Sequence, residues 1–68
     1  MKAVSGKDLC KVLERKGWQL VRIRGSHHIY TNPGGSVTVS VPVHGNRTLP
    51  IGTQLGIMKT AGLTEGDL

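Results

Sequence analysis

The chain has 68 residues, enough for a single domain spanning 1–68 and too few to enclose a large cofactor. Nine Lys and Arg against four Asp and Glu give a formal net charge of +5, which favours a polyanionic partner such as RNA. No apolar run approaches the ~20 residues of a membrane-spanning helix and no signal peptide is visible, so we expect a cytoplasmic protein that does not bind membranes.

A first helix is predicted after Ser5, whose hydroxyl can cap the free backbone N–H groups of the first turn. Gly17 is placed to end this helix, because glycine readily adopts the left-handed conformation found after helix C-termini. Between these signals, apolar residues at helical spacing should face the core: Leu9, Val12 and Leu13. The single cysteine, Cys10, lies among them and is interpreted as a small buried side chain rather than a nucleophile.

Three strands are predicted next, at residues 18–24, 27–31 and 36–41. Two turn sequences separate them, Gly25-Ser26 and then Asn32-Pro33-Gly34-Gly35, and turns this short make neighbouring strands antiparallel. The third strand alternates most regularly, with one face formed by Val37, Val39 and Val41 and the other by Thr38 and Ser40.

The first strand also alternates, although less regularly. Side chains that are two residues apart share a face, so Val21 and Ile23 should lie on one side of the sheet. Leu20, Arg22 and Arg24 should lie on the other.

A second helix is predicted to begin at Pro50, because a missing N–H costs nothing in the first turn. Its apolar stripe is expected to contain Ile51, Leu55, Met58 and Ala61. Gly52 and Gly56 interrupt the helix, and each costs roughly 0.5–1 kcal/mol relative to alanine, so the helix must depend on its packing.

The order helix, three strands, helix predicts an α+β fold, α-β-β-β-α, with a three-stranded antiparallel sheet. Two helices can cover only one face of that sheet, so the other face is left to solvent. This is the fold class of double-stranded RNA-binding domains, although a fold alone decides no function.

Several segments resemble the HicA (YcfA-like) family of bacterial toxins, in order and with family-like spacing from about Lys7 to Leu63. The matching residues are Leu13-Glu14-Arg15-Lys16-Gly17-Trp18, Val21-Arg22-Ile23-Arg24-Gly25-Ser26-His27-His28-Ile29-Tyr30, Val39-Ser40-Val41-Pro42 with His44, Leu49-Pro50-Ile51-Gly52-Thr53 and Ala61-Gly62-Leu63-Thr64. Gly56 departs from the family, which usually has a stronger helix former there. The resemblance implies an mRNA interferase, that is, an endoribonuclease that cleaves mRNA, inhibited by a HicB-type antitoxin. It also implies that the catalytic histidine is the one after the Gly-Ser turn, His27.

Metal-independent RNA cleavage requires a base for the ribose 2′-hydroxyl and an acid for the leaving 5′ oxygen. Imidazole, with an unperturbed pKa of about 6.5, can fill either role. Strand alternation complicates the choice of residue, because His27 should share a face with Ile29, and His28 should share the open face with Tyr30. The resemblance favours His27 as the catalytic residue, and alternation favours His28 as the one that faces the substrate.

Further residues are candidates for RNA binding. Four are cations that could stabilise phosphate charge, and the others are a turn serine, two histidines and a tyrosine that could contact phosphate or sugar. The set is Arg22, Arg24, Ser26, His28, Tyr30, His44, Arg47 and Lys59. On position alone, His44 is interpreted as a loop residue near phosphate rather than a second catalyst.

Two other functions compete with RNA cleavage. A non-catalytic module that binds double-stranded RNA by shape would need the same basic surface. Metal binding is disfavoured because His27 and His28 should point to opposite faces and no ligand spacing matches a zinc site. We therefore expect neither a metal nor a small-molecule cofactor.

Overall fold

The computed structural model describes all 68 residues. Its elements, in chain order, are α1 (Gly6–Arg15), β1 (Gln19–Arg24), β2 (His27–Thr31), β3 (Thr38–Pro42) and α2 (Ile51–Ala61), followed by a short 3-10 turn (Glu65–Asp67). The predicted α+β architecture is confirmed. Neither helix has the length and apolar character that crossing a bilayer requires.

The first helix forms as predicted. The Ser5 hydroxyl accepts a hydrogen bond from the backbone N–H of Asp8 at 3.1 Å, and Gly17, with φ 89°, follows the last helical turn. Leu9 and Leu13 are fully buried, and Cys10 is almost fully buried. Burial raises the pKa of the Cys10 thiol, so this side chain stays a neutral, packed group.

The strands form one antiparallel sheet in the order β1-β2-β3, so β1 and β3 are its edges. Gly25, with φ 58°, allows the tight turn from β1 to β2. The third strand begins at Thr38, two residues later than predicted, because Asn32 holds the preceding segment. Its Oδ1 accepts hydrogen bonds from the N–H groups of Ser36 and Val37, at 2.9 and 3.1 Å.

One face of the sheet is covered by both helices, which pack mainly on β3. The buried side chains of that face include Tyr30, Val39 and Val41, and they join the core side chains of α1 and Trp18. The helices leave β1 largely uncovered, and all six of its residues are exposed.

The face assignment predicted for β1 is wrong at Leu20. The pairing register shifts between Leu20 and Arg22, which marks a β-bulge at Val21. One extra residue reverses the alternation, so Leu20 lies opposite Tyr30 on the helix side, together with Ile23. Arg22 and Arg24 remain together on the open side, as predicted.

The predicted apolar stripe of α2 is also wrong in part. Ile51 is 49% exposed and Leu55 45% exposed, whereas Met58, Ile57 and Gln54 are buried. The core-facing side of the helix is therefore rotated from the predicted one. The buried Gln54 amide explains the rotation: its Oε1 accepts from the N–H of Val4 at 3.0 Å, and its Nε2 donates to the carbonyl of Lys2 at 2.7 Å.

Gln54→Ala should lower the free energy of unfolding by about 2 kcal/mol, because it leaves two backbone groups of the N-terminal segment without partners. In a domain of this size, the loss corresponds to a fall of roughly 8–16 °C in melting temperature, measurable by circular dichroism. The chain's other glutamine, Gln19, is exposed on β1, and Gln19→Ala serves as the matched control, with a change within about 0.5 kcal/mol. Equal effects of the two substitutions would contradict the role assigned to Gln54.

Candidate active site

His27 is the first residue of β2 and follows the Gly25-Ser26 turn directly. Its side chain is exposed. Its neighbours across the two ladders are Arg24 on β1 and Pro42 on β3, and directly opposed residues of an antiparallel sheet lie about 4.5–5.5 Å apart on the same face. His27 therefore lies in the middle strand, between Arg24 and Pro42, with its side chain on the same face as theirs.

The structure shows on which face of the sheet each of the two adjacent histidines lies. As predicted, His27 shares a face with Ile29, and His28 shares one with Tyr30. The face of Tyr30 is the one that the helices cover, so the expectation that His28 lies on the open face is wrong. Alternation and turn position now agree in placing His27 on the open side.

The open face is basic. Arg22 lies opposite Ile29, two cross-strand rows from Arg24 and His27 and therefore on the same face. The only two ion pairs in the structure join Met1 to Glu65 and Lys16 to Asp67, so the arginines of this face have no carboxylate partner. Both guanidinium groups are thus available to a phosphate.

The loop after β3 is tied to the turn before His27. The N–H of Val43 donates to the carbonyl of Ser26 at 2.7 Å, and the N–H of Arg47 donates to the carbonyl of His44 at 3.0 Å. A groove of about 380 Å³ opens here, lined on one side by Pro42, the neighbour of His27. His44 and Arg47 line it as well. The structure thus brings four predicted residues, Ser26, His27, His44 and Arg47, to one end of the sheet.

Three predicted site residues lie elsewhere. Tyr30 is 1% exposed, and its hydroxyl donates to Oε2 of Glu14 at 2.5 Å, so the expected surface or sugar-contact role is wrong. His28 lines a groove on the helix side, beside Cys10 and Glu14. Lys59 lies in the last turn of α2, about 9 Å along the helix axis from the groove residue Thr53.

Tyr30 should keep its proton in alkaline solution for as long as the protein stays folded. Burial raises its pKa above the ordinary value, and the hydrogen bond to Glu14 raises it further. The unfolded chain would release this proton above pH about 10, so stability is lost as the pH rises beyond that value. Because Tyr30 is the only tyrosine, phenolate absorbance should appear together with unfolding, and its appearance in the folded protein would contradict the assignment.

Other polar side chains on the open face were not predicted as site residues. Thr31 lies opposite Thr38, and Ser40 lies opposite Ile29, so hydroxyl groups accompany the arginines. The alternation with Val39 and Val41 already predicted the faces of Thr38 and Ser40, and it could have marked them. No three His, Cys, Asp or Glu side chains are close enough together to hold a metal ion.

A family model described as the HicA toxin of bacterial toxin–antitoxin systems matches residues 6–63. The matched segment contains β1 to β3, both helices and the loop that lines the groove. No curated protein matches the chain.

Proposed function

The chain belongs to the HicA toxin family of bacterial toxin–antitoxin systems, and from that premise we propose that it is an endoribonuclease that cleaves mRNA. The observation that carries this proposal is the position of His27, exposed on the open sheet face beside Arg24. An imidazole accepts and releases protons near neutral pH, and a neighbouring guanidinium binds phosphate oxygens.

In the proposed reaction, His27 accepts the proton of the ribose 2′-hydroxyl. The 2′ oxygen then attacks the adjacent phosphorus, the bond to the 5′ oxygen breaks and that oxygen takes up a proton, which leaves a 2′,3′-cyclic phosphate and a 5′-hydroxyl end. A positioned proton-transfer group of this kind contributes typically ~10²- to 10⁴-fold.

The arginines of the open face would stabilise the charge that develops on the phosphorane. Arg24 lies in the same cross-strand row as His27, and Arg22 lies two rows away on the same face. Contacts to phosphate carry no sequence information by themselves, so cleavage should tolerate many sequences. The four carboxylates are Asp8, Glu14, Glu65 and Asp67, on α1 and near the C-terminal end, so the proposed chemistry uses imidazole and guanidinium groups and needs no metal.

A ribonuclease with this tolerance would be harmful to the cell that makes it, which explains why such a toxin requires an antitoxin. We propose a HicB-type antitoxin as the partner and the cytoplasm, where mRNA is found, as the compartment. Expression of the chain alone should arrest growth, and co-expression of the antitoxin should restore it.

The decisive experiment incubates end-labelled RNA with the purified protein in the presence of EDTA. Cleavage with 2′,3′-cyclic phosphate ends supports the proposal. A strict requirement for divalent cations, or products with 5′-phosphate ends, would contradict the mechanism. Salt-sensitive binding without cleavage at any protein concentration would identify a non-catalytic RNA-binding module instead.

A further inference from the structure

RNA cleavage by proton transfer needs two groups, and the proposed function assigns only one. His27 can activate the 2′-hydroxyl, but the leaving 5′ oxygen also requires a proton. Three titratable candidates lie on the opposite side of the sheet from His27: Cys10 and Tyr30 are buried under the helices, and His28 lines the groove on the helix side. The carboxylates lie on α1 and near the C-terminal end.

His44 is the remaining histidine, and the backbone brings it close to His27. It follows Pro42, the cross-strand neighbour of His27, by two residues. A chain spans at most about 7 Å in that interval. The 2.7 Å hydrogen bond from Val43 to Ser26 fixes the intervening residue against the turn that precedes His27.

The groove beside His44 is suited to the RNA segment on the leaving-group side. Its volume of about 380 Å³ falls within the range of small-ligand sites. Arg47 and the hydroxyl-bearing residues Thr48 and Thr53 line it, so it offers a cation and hydrogen-bonding groups to a phosphodiester. Pro42 forms the boundary between this groove and the row of His27 and Arg24.

We propose that His44 is the general acid of the reaction and that Arg47 contacts the phosphate that follows the scissile bond. This inference rests on the proposed function. As His27 removes the proton from the 2′-hydroxyl, the bond from the 2′ oxygen to phosphorus forms and the bond from phosphorus to the 5′ oxygen breaks. The His44 imidazolium transfers its proton to the departing 5′ oxygen. His27 ends protonated and His44 neutral, and proton exchange with water restores both.

The test uses two RNA oligonucleotides that differ in one atom. In the first, the scissile linkage is natural, and in the second, sulfur replaces the bridging 5′ oxygen. A thiolate leaves without being protonated, so the second substrate does not need the acid. His44→Ala should lose ~10²- to 10⁴-fold on the natural RNA and less than ~10-fold on the sulfur-bridged RNA. His27→Ala should lose activity on both.

Controls separate this assignment from the proposed function and from misfolding. Asn46→Ala, in the same exposed loop, should cleave both substrates at the unchanged rate. His44→Gln, which retains a polar side chain, should repeat the loss of His44→Ala, and circular dichroism should show both variants folded. Equal losses on the two substrates, or no loss on natural RNA, would overturn the role of His44. If the unchanged protein cleaves neither substrate, the proposed function itself fails.

Discussion

His27→Ala should reduce the rate of RNA cleavage by at least ~100-fold and abolish growth arrest, with little change in stability. The side chain is exposed at the end of the sheet, and none of the side-chain hydrogen bonds in the structure involves His27. Its removal therefore takes away a proton-transfer group without opening a cavity. The measurement compares initial cleavage rates of labelled RNA at saturating protein, together with thermal unfolding.

The control for this variant is Lys11→Ala, which removes a basic side chain from the opposite side of the sheet. Lys11 is exposed on α1 and lines the groove of the helix side. Its loss should leave the rate within about twofold of the unchanged protein, because the charge is remote from His27 and screened by salt. Full activity of His27→Ala, or equal losses in the two variants, would remove His27 from the mechanism.

Much of the fold could be predicted from the sequence because local signals decide it. The cap at Ser5, the turn at Gly25-Ser26 and the alternating valines of β3 each reflect the chemistry of a few neighbouring residues. These signals also identified His27 as a residue at a turn. The solvent-exposed face of the sheet was expected because two helices can cover only one face.

The errors have a common physical origin in tertiary packing. Alternation tells which residues share a face but not which face the helices cover, so the sequence could not decide between His27 and His28. The bulge at Val21 changes the alternation within β1 without any glycine or proline to mark it. In α2, Gln54 is buried because distant backbone groups of Lys2 and Val4 satisfy its amide, and no local pattern predicts such a contact.

The groove beside His44 could not be predicted from the sequence either. It depends on the hydrogen bond between Val43 and Ser26, residues that are far apart along the chain. The same segment is held from the other side by α1, because Gly6, in its first turn, packs against the backbone of Pro42 and Val43. A side chain at residue 6 should therefore disturb both the fold and the proposed site.

Gly6→Ala should lower the free energy of unfolding by about 3 kcal/mol, a value at the upper end for overpacked cores. A Cβ atom at this position would overlap the Pro42 carbonyl oxygen and lie 3.3 Å from Cα of Val43. Both contacts are with backbone, which cannot rotate away, so the start of α1 or the end of β3 must shift. The expected fall in melting temperature is roughly 12–24 °C, measurable by circular dichroism.

Gly56→Ala is the matched control, because it makes the same change in a helix where no atom beyond the adjacent residues and the helix's own backbone lies within 4 Å of the added Cβ. Alanine favours the helix over glycine, so this variant should gain about 0.5–1 kcal/mol. The two substitutions thus have opposite expected signs, and the difference isolates the contact between α1 and β3. At temperatures where Gly6→Ala is still folded, its RNA cleavage should also be slower, since Pro42 lies between His27 and the groove. Equal stabilisation by both substitutions would show that α1 does not pack on β3 at Gly6.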